Sequence, residues 1–333
     1  MATGPPGTAA GPLAGGDQPA VGAPQRGGAA TPARLPPALL AGVQPLAAGA
    51  AAARHRTVAR PAPAPSRRLL RLARGRPAGA GGDGSRPPGG ARSRLWQPLA
   101  SGDAELDRLW RLDQPLEAWE HWRHHRGGQP PGTAEGLLVE GRLRRAVGDH
   151  WMGLAQLEQA SLRLPAEACG EAAVLETALH EKAQQPALER ASRQTGVSAD
   201  LLAAVAKQES RFTPGVRSAA GAVGLLQLMP ETAAELAGRP LAAAELEDPE
   251  RNAVLGAQYL RQLLLLWHGN PLLVAASYNA GPGAVASWIS PLLNRAPELW
   301  VEAIPYPETR LYVKKVVGNL WSFQEPRLPR CPG

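Results

Sequence analysis

The chain has little of what usually staples or anchors a small fold. Its 333 residues include 2 cysteines, 2 phenylalanines, 4 tyrosines and 3 methionines. Two cysteines, Cys169 and Cys331, allow at most one disulfide, so no disulfide framework is implied, and no zinc-type cysteine spacing exists. No run is long and apolar enough to be read as a membrane span. Residues 35–53 come nearest to an export-signal core, because they follow Arg34 and end in small residues. Three prolines interrupt them and they lie far from Met1, so the export route stays open. Lysine is absent from residues 1–94, which hold 13 arginines and two acids, Asp17 and Asp83, a net charge of +11. Aromatic and β-branched residues are almost missing there too. Such a segment buries too little apolar surface to offset its ordering entropy, and it reads as a disordered tail. It is a solvated linker or a basic arm making weak contact with an anionic surface. No specific nucleic-acid partner is implied.

The pI near 10 therefore belongs to the tail. Residues 95–185 carry a net charge of −5 and residues 186–333 a net charge of +1. The middle, from about 103 to 183, reads as short helices. "DAELDRLWRL", "PLEAWEHWRHH", "TAEGLLVEGRLRRAV", "DHWMGLAQLEQASLRL" and "AEACGEAAVLETALHEKA" carry apolar residues at three–four spacing, with Pro, Gly and Gly-Asp between them. The pattern suits the helix pairs of a solenoid, without a fixed repeat period. Trp110, Trp119, Trp122 and Trp151 are expected to pack between helices. The cluster His121, His124, His125 has metal-like spacing, but Arg123 and Arg126 interleave it and no acid completes a site. It reads as a solvated helix end, and no metal or cofactor is expected.

After Gln185 the character changes. "SADLLAAVAKQES" is read as an amphipathic helix with Ser198 as N-cap and Asp200 in the first turn, ending near Ser210 with "TPG" as its stop. Leu202, Val205 and Glu209 share one face. A carboxyl in the last turn, on an apolar face, meets two influences that both favour its protonated form, as a general acid requires. "SAAGAVGLLQLMPETAAEL" follows. Its dense glycines imply backbone pressed close to another element or a ligand. Gln227 and Met229 could line a groove, and a new helix begins near Pro230. A long buried helix is expected over Pro249–His268. In "NPLLVAASYNAGPGAVASW", the Gly281-Pro282-Gly283 break leaves Tyr278 and Asn279 at a helix end. A terminal helix from about Glu308 carries Tyr312 on a face with Lys315 and Val316.

"KQES", "SAAGAVGLLQLMPETA", "SYNAGPGAV" and "WVEAIPYPETRLYVKKV", in this order and at these intervals, resemble the lysozyme-like catalytic domain of the soluble lytic murein transglycosylase family. The likeness covers about residues 186–325. The helical middle, 95–185, resembles the superhelical region that precedes this domain in the family, much shortened. The fold class implied is mostly α: a lysozyme-like domain behind a short superhelical region and the disordered tail, with residues 326–333 as a C-terminal tail. The resemblance implies cleavage of the β-1,4 bond between N-acetylmuramic acid (MurNAc) and N-acetylglucosamine (GlcNAc) in peptidoglycan, without water, leaving 1,6-anhydromuramoyl ends. Glu209 matches the single catalytic acid/base. Ser218 matches a serine near the acetamido group, which itself assists as in substrate-assisted glycosidases. Gln227, Met229, Tyr278 and Asn279 match groove residues, Tyr312 a tyrosine near the acid, and Glu302 a glutamate that meets the peptide stem. The partner implied is a glycan strand with its stem peptides, the location the periplasm or cell envelope, and the state a monomer. The usual "GLMQ" is "GLLQ" here, with Leu226 in place of Met, a volume-conserving change. A goose-type lysozyme hydrolase on the same fold and an inactive peptidoglycan-binding module are the rival readings.

Overall fold

The computed structural model describes residues 97–165 and 167–325. The tail of residues 1–94, the signal-like stretch 35–53, the C-terminal tail 326–333 and Cys331 lie outside the described residues.

Five helices form the middle. They are α1 (Ala104–Arg111), α2 (Pro115–Arg126), α3 (Ala134–Ala146), α4 (His150–Arg163) and α5 (Cys169–Leu179). Their starts follow capping chemistry. The side chains of Asp103, Thr133 and Asp149 accept backbone N–H groups at the heads of α1, α3 and α4, and Pro115 occupies the first turn of α2, where a missing N–H costs nothing. Each of these helices packs on its chain neighbours, as a solenoid does. Gly141 and Gly153 let α3 and α4 touch, since a Cβ on either would lie within 3 Å of the other helix. Leu99, Leu106, Ala118, Val139 and Leu143 form the core, with Trp110, Trp119 and Trp122 packed around it. The tryptophans thus pack as expected, and each carries a guanidinium. Arg142 lies over Trp110 at 5.1 Å, Arg144 over Trp119 at 4.7 Å, Arg126 over Trp122 at 5.1 Å and Arg211 over Trp151 at 5.2 Å.

The second half begins with α6 (Gln185–Thr195), which the sequence pattern did not suggest, and α7 (Ala199–Ser210). Ser198 caps α7 through Asp200 N–H at 3.2 Å, as expected. Leu201 to Ala206 are all buried, so α7 is enclosed on every side along that stretch rather than amphipathic. The helix ends at Ser210, as expected, though a left-handed turn just ahead of "TPG" makes the stop. Arg211 and Phe212 take left-handed conformations with φ of 51° and 63°. Tertiary contact imposes this turn: Arg211 donates to Glu158 Oε2 at 2.7 Å and Trp151 O at 3.4 Å, while Phe212 is fully buried.

A loop with isolated β-bridges but no strand leads to α8 (Pro230–Ala237) and the short α9 (Ala243–Glu247). Helix α10 (Pro249–Leu266) packs against α6, α8, α9 and α11 (Pro271–Ala280). It ends two residues short of the expected His268. Helix α11, buried from Leu272 to Tyr278, is the more central of the two. Three short helices, α12 (Pro282–Trp288), α13 (Leu292–Arg295) and α14 (Pro297–Glu302), precede α15 (Pro307–Gln324), which packs on both α7 and α11. On α15, Tyr312 and Val316 are buried but Lys315 is exposed, so Lys315 leaves the face it was expected to share.

Candidate active site

Packing of α7 and α11 against α15 brings together three segments that lie far apart in the sequence. Glu209 stands in the last turn of α7, partly buried, one residue before the fully buried Ser210. The Ser210 hydroxyl sits 2.7 Å from Leu225 O and 3.1 Å from Ala206 O, so the end of α7 is tied to the glycine-rich loop. Tyr278, near the end of α11, donates its phenol to Leu226 O at 2.8 Å. Burial holds that phenol well above its usual range, and the Glu209 charge, then the neighbouring Tyr259, add to the effect. Glu209 therefore lies within electrostatic reach of Tyr278. Tyr259 packs at a tilt against Tyr278 with ring centroids 5.4 Å apart, and burial raises its phenol as well.

The loop that receives these contacts is a tight turn. Val223 and Leu228 exchange both backbone hydrogen bonds, at 2.9 and 3.0 Å, and Gln227 closes the turn in a left-handed conformation with φ 48°. Its glycine has the structural cause left open above. Gly224 has φ 85°, and a Cβ there would come within 2.3 Å of Asn252 Nδ2 and Leu246 O, so it is another element, α10 and its approach, that presses on it. Asn252 is the clamp. Fully buried on α10, it accepts Leu226 N–H at 2.7 Å and donates to Val223 O at 3.0 Å and Leu246 O at 2.9 Å. Sequence reasoning missed it. The available signal was an amide on the stripe Asn252–Leu255–Gly256–Tyr259–Leu263, where every other residue is apolar or small.

The other expected residues fall as follows. Ser218 is partly buried, and its hydroxyl accepts Ala222 N–H at 2.9 Å, which leaves its own proton to donate. Gln227 is 2% exposed, and its amide nitrogen bonds Val216 O at 2.7 Å and Gly224 O at 2.9 Å. These two bonds from its amide nitrogen hold the loop. Met229, at the head of α8, is partly exposed. Asn279 is partly buried, and its carbonyl oxygen accepts the hydroxyl of Thr309 of α15 at 2.6 Å. Thr309 is a second residue that the sequence reading missed. Tyr312 is 5% exposed on α15. Glu302, the last residue of α14, pairs with Lys314 at 2.5 Å. Leu226, the departure from the usual motif, is fully buried against α10, where a Cβ on Gly256 would come within 2.3 Å of its side chain. The exchange of Met for Leu therefore falls in the core.

The arrangement supplies one partly buried carboxylate at a helix end, facing a buried phenol, beside a rigid loop and a positioned amide. Of the other acids in these motifs, Glu231 is exposed in the first turn of α8, Glu302 is engaged by Lys314, and Glu308 is partly buried in the first turn of α15.

Residues 186–300 match the transglycosylase SLT domain family. Among curated proteins, the soluble lytic murein transglycosylase of Salmonella typhimurium is 37% identical over 135 residues, covering 39% of this chain and 21% of that protein. The soluble lytic murein transglycosylase of Escherichia coli K12 is 40% identical over 121 residues, covering 34% and 19%. The chain thus spans about a fifth of the length of these curated relatives. Among solved structures, an inactive glutamate-to-glutamine mutant of lytic transglycosylase Slt from Pseudomonas aeruginosa matches with TM-score 0.51 and 29% identity, over 68% of this chain and 35% of that one. This likeness agrees with the mostly α, lysozyme-like class expected above. Through residues 186–300, the chain thus matches the transglycosylase SLT domain and is similar over that stretch to the soluble lytic murein transglycosylases.

Proposed function

We propose that this chain is a lytic transglycosylase that cleaves the β-1,4 MurNAc–GlcNAc bond of peptidoglycan, with Glu209 as its single acid/base. The observation that carries the reading is the convergence on Glu209: Ser210 bonded to the loop, Tyr278 bonded to the same loop, and the Glu209 charge acting on Tyr278. A carboxylate backed by a buried phenol and fixed backbone suits proton transfer to a substrate oxygen. The names of the curated relatives support the substrate class.

The steps balance with one carboxyl. Glu209 gives its proton to the glycosidic oxygen as the bond from that oxygen to the anomeric carbon breaks. The muramoyl 6-hydroxyl then attacks the anomeric carbon and returns its proton to Glu209. The nucleophile belongs to the substrate and is already near its target, so no second carboxylate and no water are needed. Ser218, with a hydroxyl proton to donate, serves the acetamido group. Asn279, its carbonyl oxygen held by Thr309, offers its NH2 to the glycan. Met229 contacts a sugar face, Tyr312 supports the acid, and Gln227 shapes the loop beside them. Glu302 with Lys314 meets the stem peptide. Such an enzyme works on the wall side of the cytoplasmic membrane, and no helix of the described residues is long and apolar enough to cross a membrane.

Mass spectrometry of sugars released from purified peptidoglycan tests the reading, with the Glu209→Gln variant beside the unaltered chain. Products one water lighter than hydrolysis products, absent with the variant, are expected. Full-mass reducing sugars would make the protein a hydrolase. Retention on the polymer without any product would make it a binding module.

A further inference from the structure

The His-rich end of α2 gains from the fold the acid that it lacks in the sequence. Asp103, the N-cap of α1, is eighteen residues before His121, yet its Oδ2 lies 2.9 Å from His121 Nε2. His125, one turn after His121 on the same face, stacks on it with ring centroids 4.2 Å apart. One carboxylate oxygen and one nitrogen from each imidazole all lie within 4.8 Å of one another. We propose that Asp103, His121 and His125 form a binding site for one divalent transition-metal ion, Zn2+ foremost, that pins the head of α1 to the tail of α2.

Donor chemistry and geometry both favour this assignment. Two imidazoles and a carboxylate suit Zn2+ and its neighbours, whereas Ca2+ and Mg2+ want oxygen shells. Ligand atoms about 2.1 Å from a tetrahedral ion stand about 3.4 Å apart, so small side-chain shifts from the present spacing would admit one. Asp103 can spare an oxygen, because Oδ1 caps α1 through Glu105 and Leu106 N–H while Oδ2 faces the histidines. His125 Nδ1 faces His121 O at 3.2 Å, and a carbonyl partner on one ring nitrogen leaves the lone pair on the other, as in metal-ligating imidazoles.

The interleaved arginines, which argued against a site in the sequence, are engaged elsewhere. Arg123 pairs with Glu120 and lies over Trp119, while Arg126 bonds the carbonyls of Gln129 and Pro130 and lies over Trp122. His124 stands aside, with its ring 6.2 Å from that of His125 and outside the cluster. Three protein ligands with His125 exposed leave the ion one or more water positions, which suits a stabilising site of moderate affinity rather than a closed structural one.

The test is isothermal titration of the untagged, chelator-treated full chain with ZnCl2, together with thermal unfolding in excess Zn2+ or Mg2+. One Zn2+ should bind with micromolar affinity and raise Tm by several degrees, and Mg2+ should leave Tm unchanged. His125→Ala, a change at an exposed position, should weaken Zn2+ binding at least tenfold. His124→Ala should bind as the unaltered chain does. No stoichiometric Zn2+ binding, or equal binding by the His125→Ala variant, would overturn the proposal.

Discussion

At the scale of single residues, the candidate site divides into groups proposed to face substrate and groups that position them. Glu209 was legible because its place in the last turn of α7 follows from local helix geometry. Thr309 was not legible. Its purpose is set by a 2.6 Å bond to Asn279, thirty residues earlier on another helix, and nothing near it marks it. Replacing it tests the positioning role. Thr309→Val keeps the shape and removes the hydroxyl, which should cost about 1 kcal/mol of stability. The kcat/KM on peptidoglycan should fall about tenfold, the size of one lost positioning bond. Thr309→Ser should restore most of it. Steady-state turnover of all three proteins, beside their Tm values, separates this from a purely structural role, in which activity would follow stability alone.

Among the elements, one clamp does most to shape the site. Asn252 holds three backbone groups, at Val223, Leu246 and Leu226, and of these Val223 O also accepts Leu228 N–H. Asn252→Leu leaves Leu226 N–H and Leu246 O unsatisfied and Val223 O with its single bond from Leu228. Buried polar groups cost about 1–3 kcal/mol each when orphaned, so the loss should be about 2 kcal/mol or more. Urea unfolding checks it, and a loss under about 1 kcal/mol would mean that the loop holds its own shape. The same clamp explains what the Gln227 amide nitrogen binds. Once the turn closes on α10, the shortest partners for its amide nitrogen are the carbonyls of Val216 and Gly224, so it serves the loop from inside.

Across the described residues, the helices α1–α5 and the second half of the chain meet along α7. Arg211 reaches Glu158 and Trp151 of α4, and Lys182, in the segment after α5, pairs with Asp200 of α7. Between them lies Lys207, with its ammonium 5.8 Å from the Phe323 ring. Burial lowers its pKa from the ordinary 10.5 to about 8. Of the charges around it, Glu158 and Glu176 oppose the shift and Arg145 and Arg211 add to it. The folded value is the lower one, so the unfolded chain binds more protons between about pH 8 and 10.5. The ammonium therefore costs stability in full below pH 8, and that cost fades as pH rises through this window. Lys207→Met should be more stable than the unaltered chain at pH 7 by about 1–3 kcal/mol, and the gap should narrow by pH 10. Denaturant unfolding of both proteins at the two pH values checks the sign, and a gap that widens with pH would contradict it.

The sequence by itself determined most of the helices, their caps, the family likeness and the place of Glu209. These rest on spacings of three to four residues and on motif order, which survive without knowledge of distant contacts. It also showed Tyr278 and Asn279 at a helix end, because Gly281 and Pro282 interrupt the chain there. Only the tertiary structure decided what turns the chain after α7, what Gly224 presses against, which groups Gln227 and Asn252 bind, and that Asp103 joins His121 and His125. Each of these depends on pairs separated by about ten to sixty residues. Such partners are chosen by how whole helices pack, and local pattern carries no record of that choice.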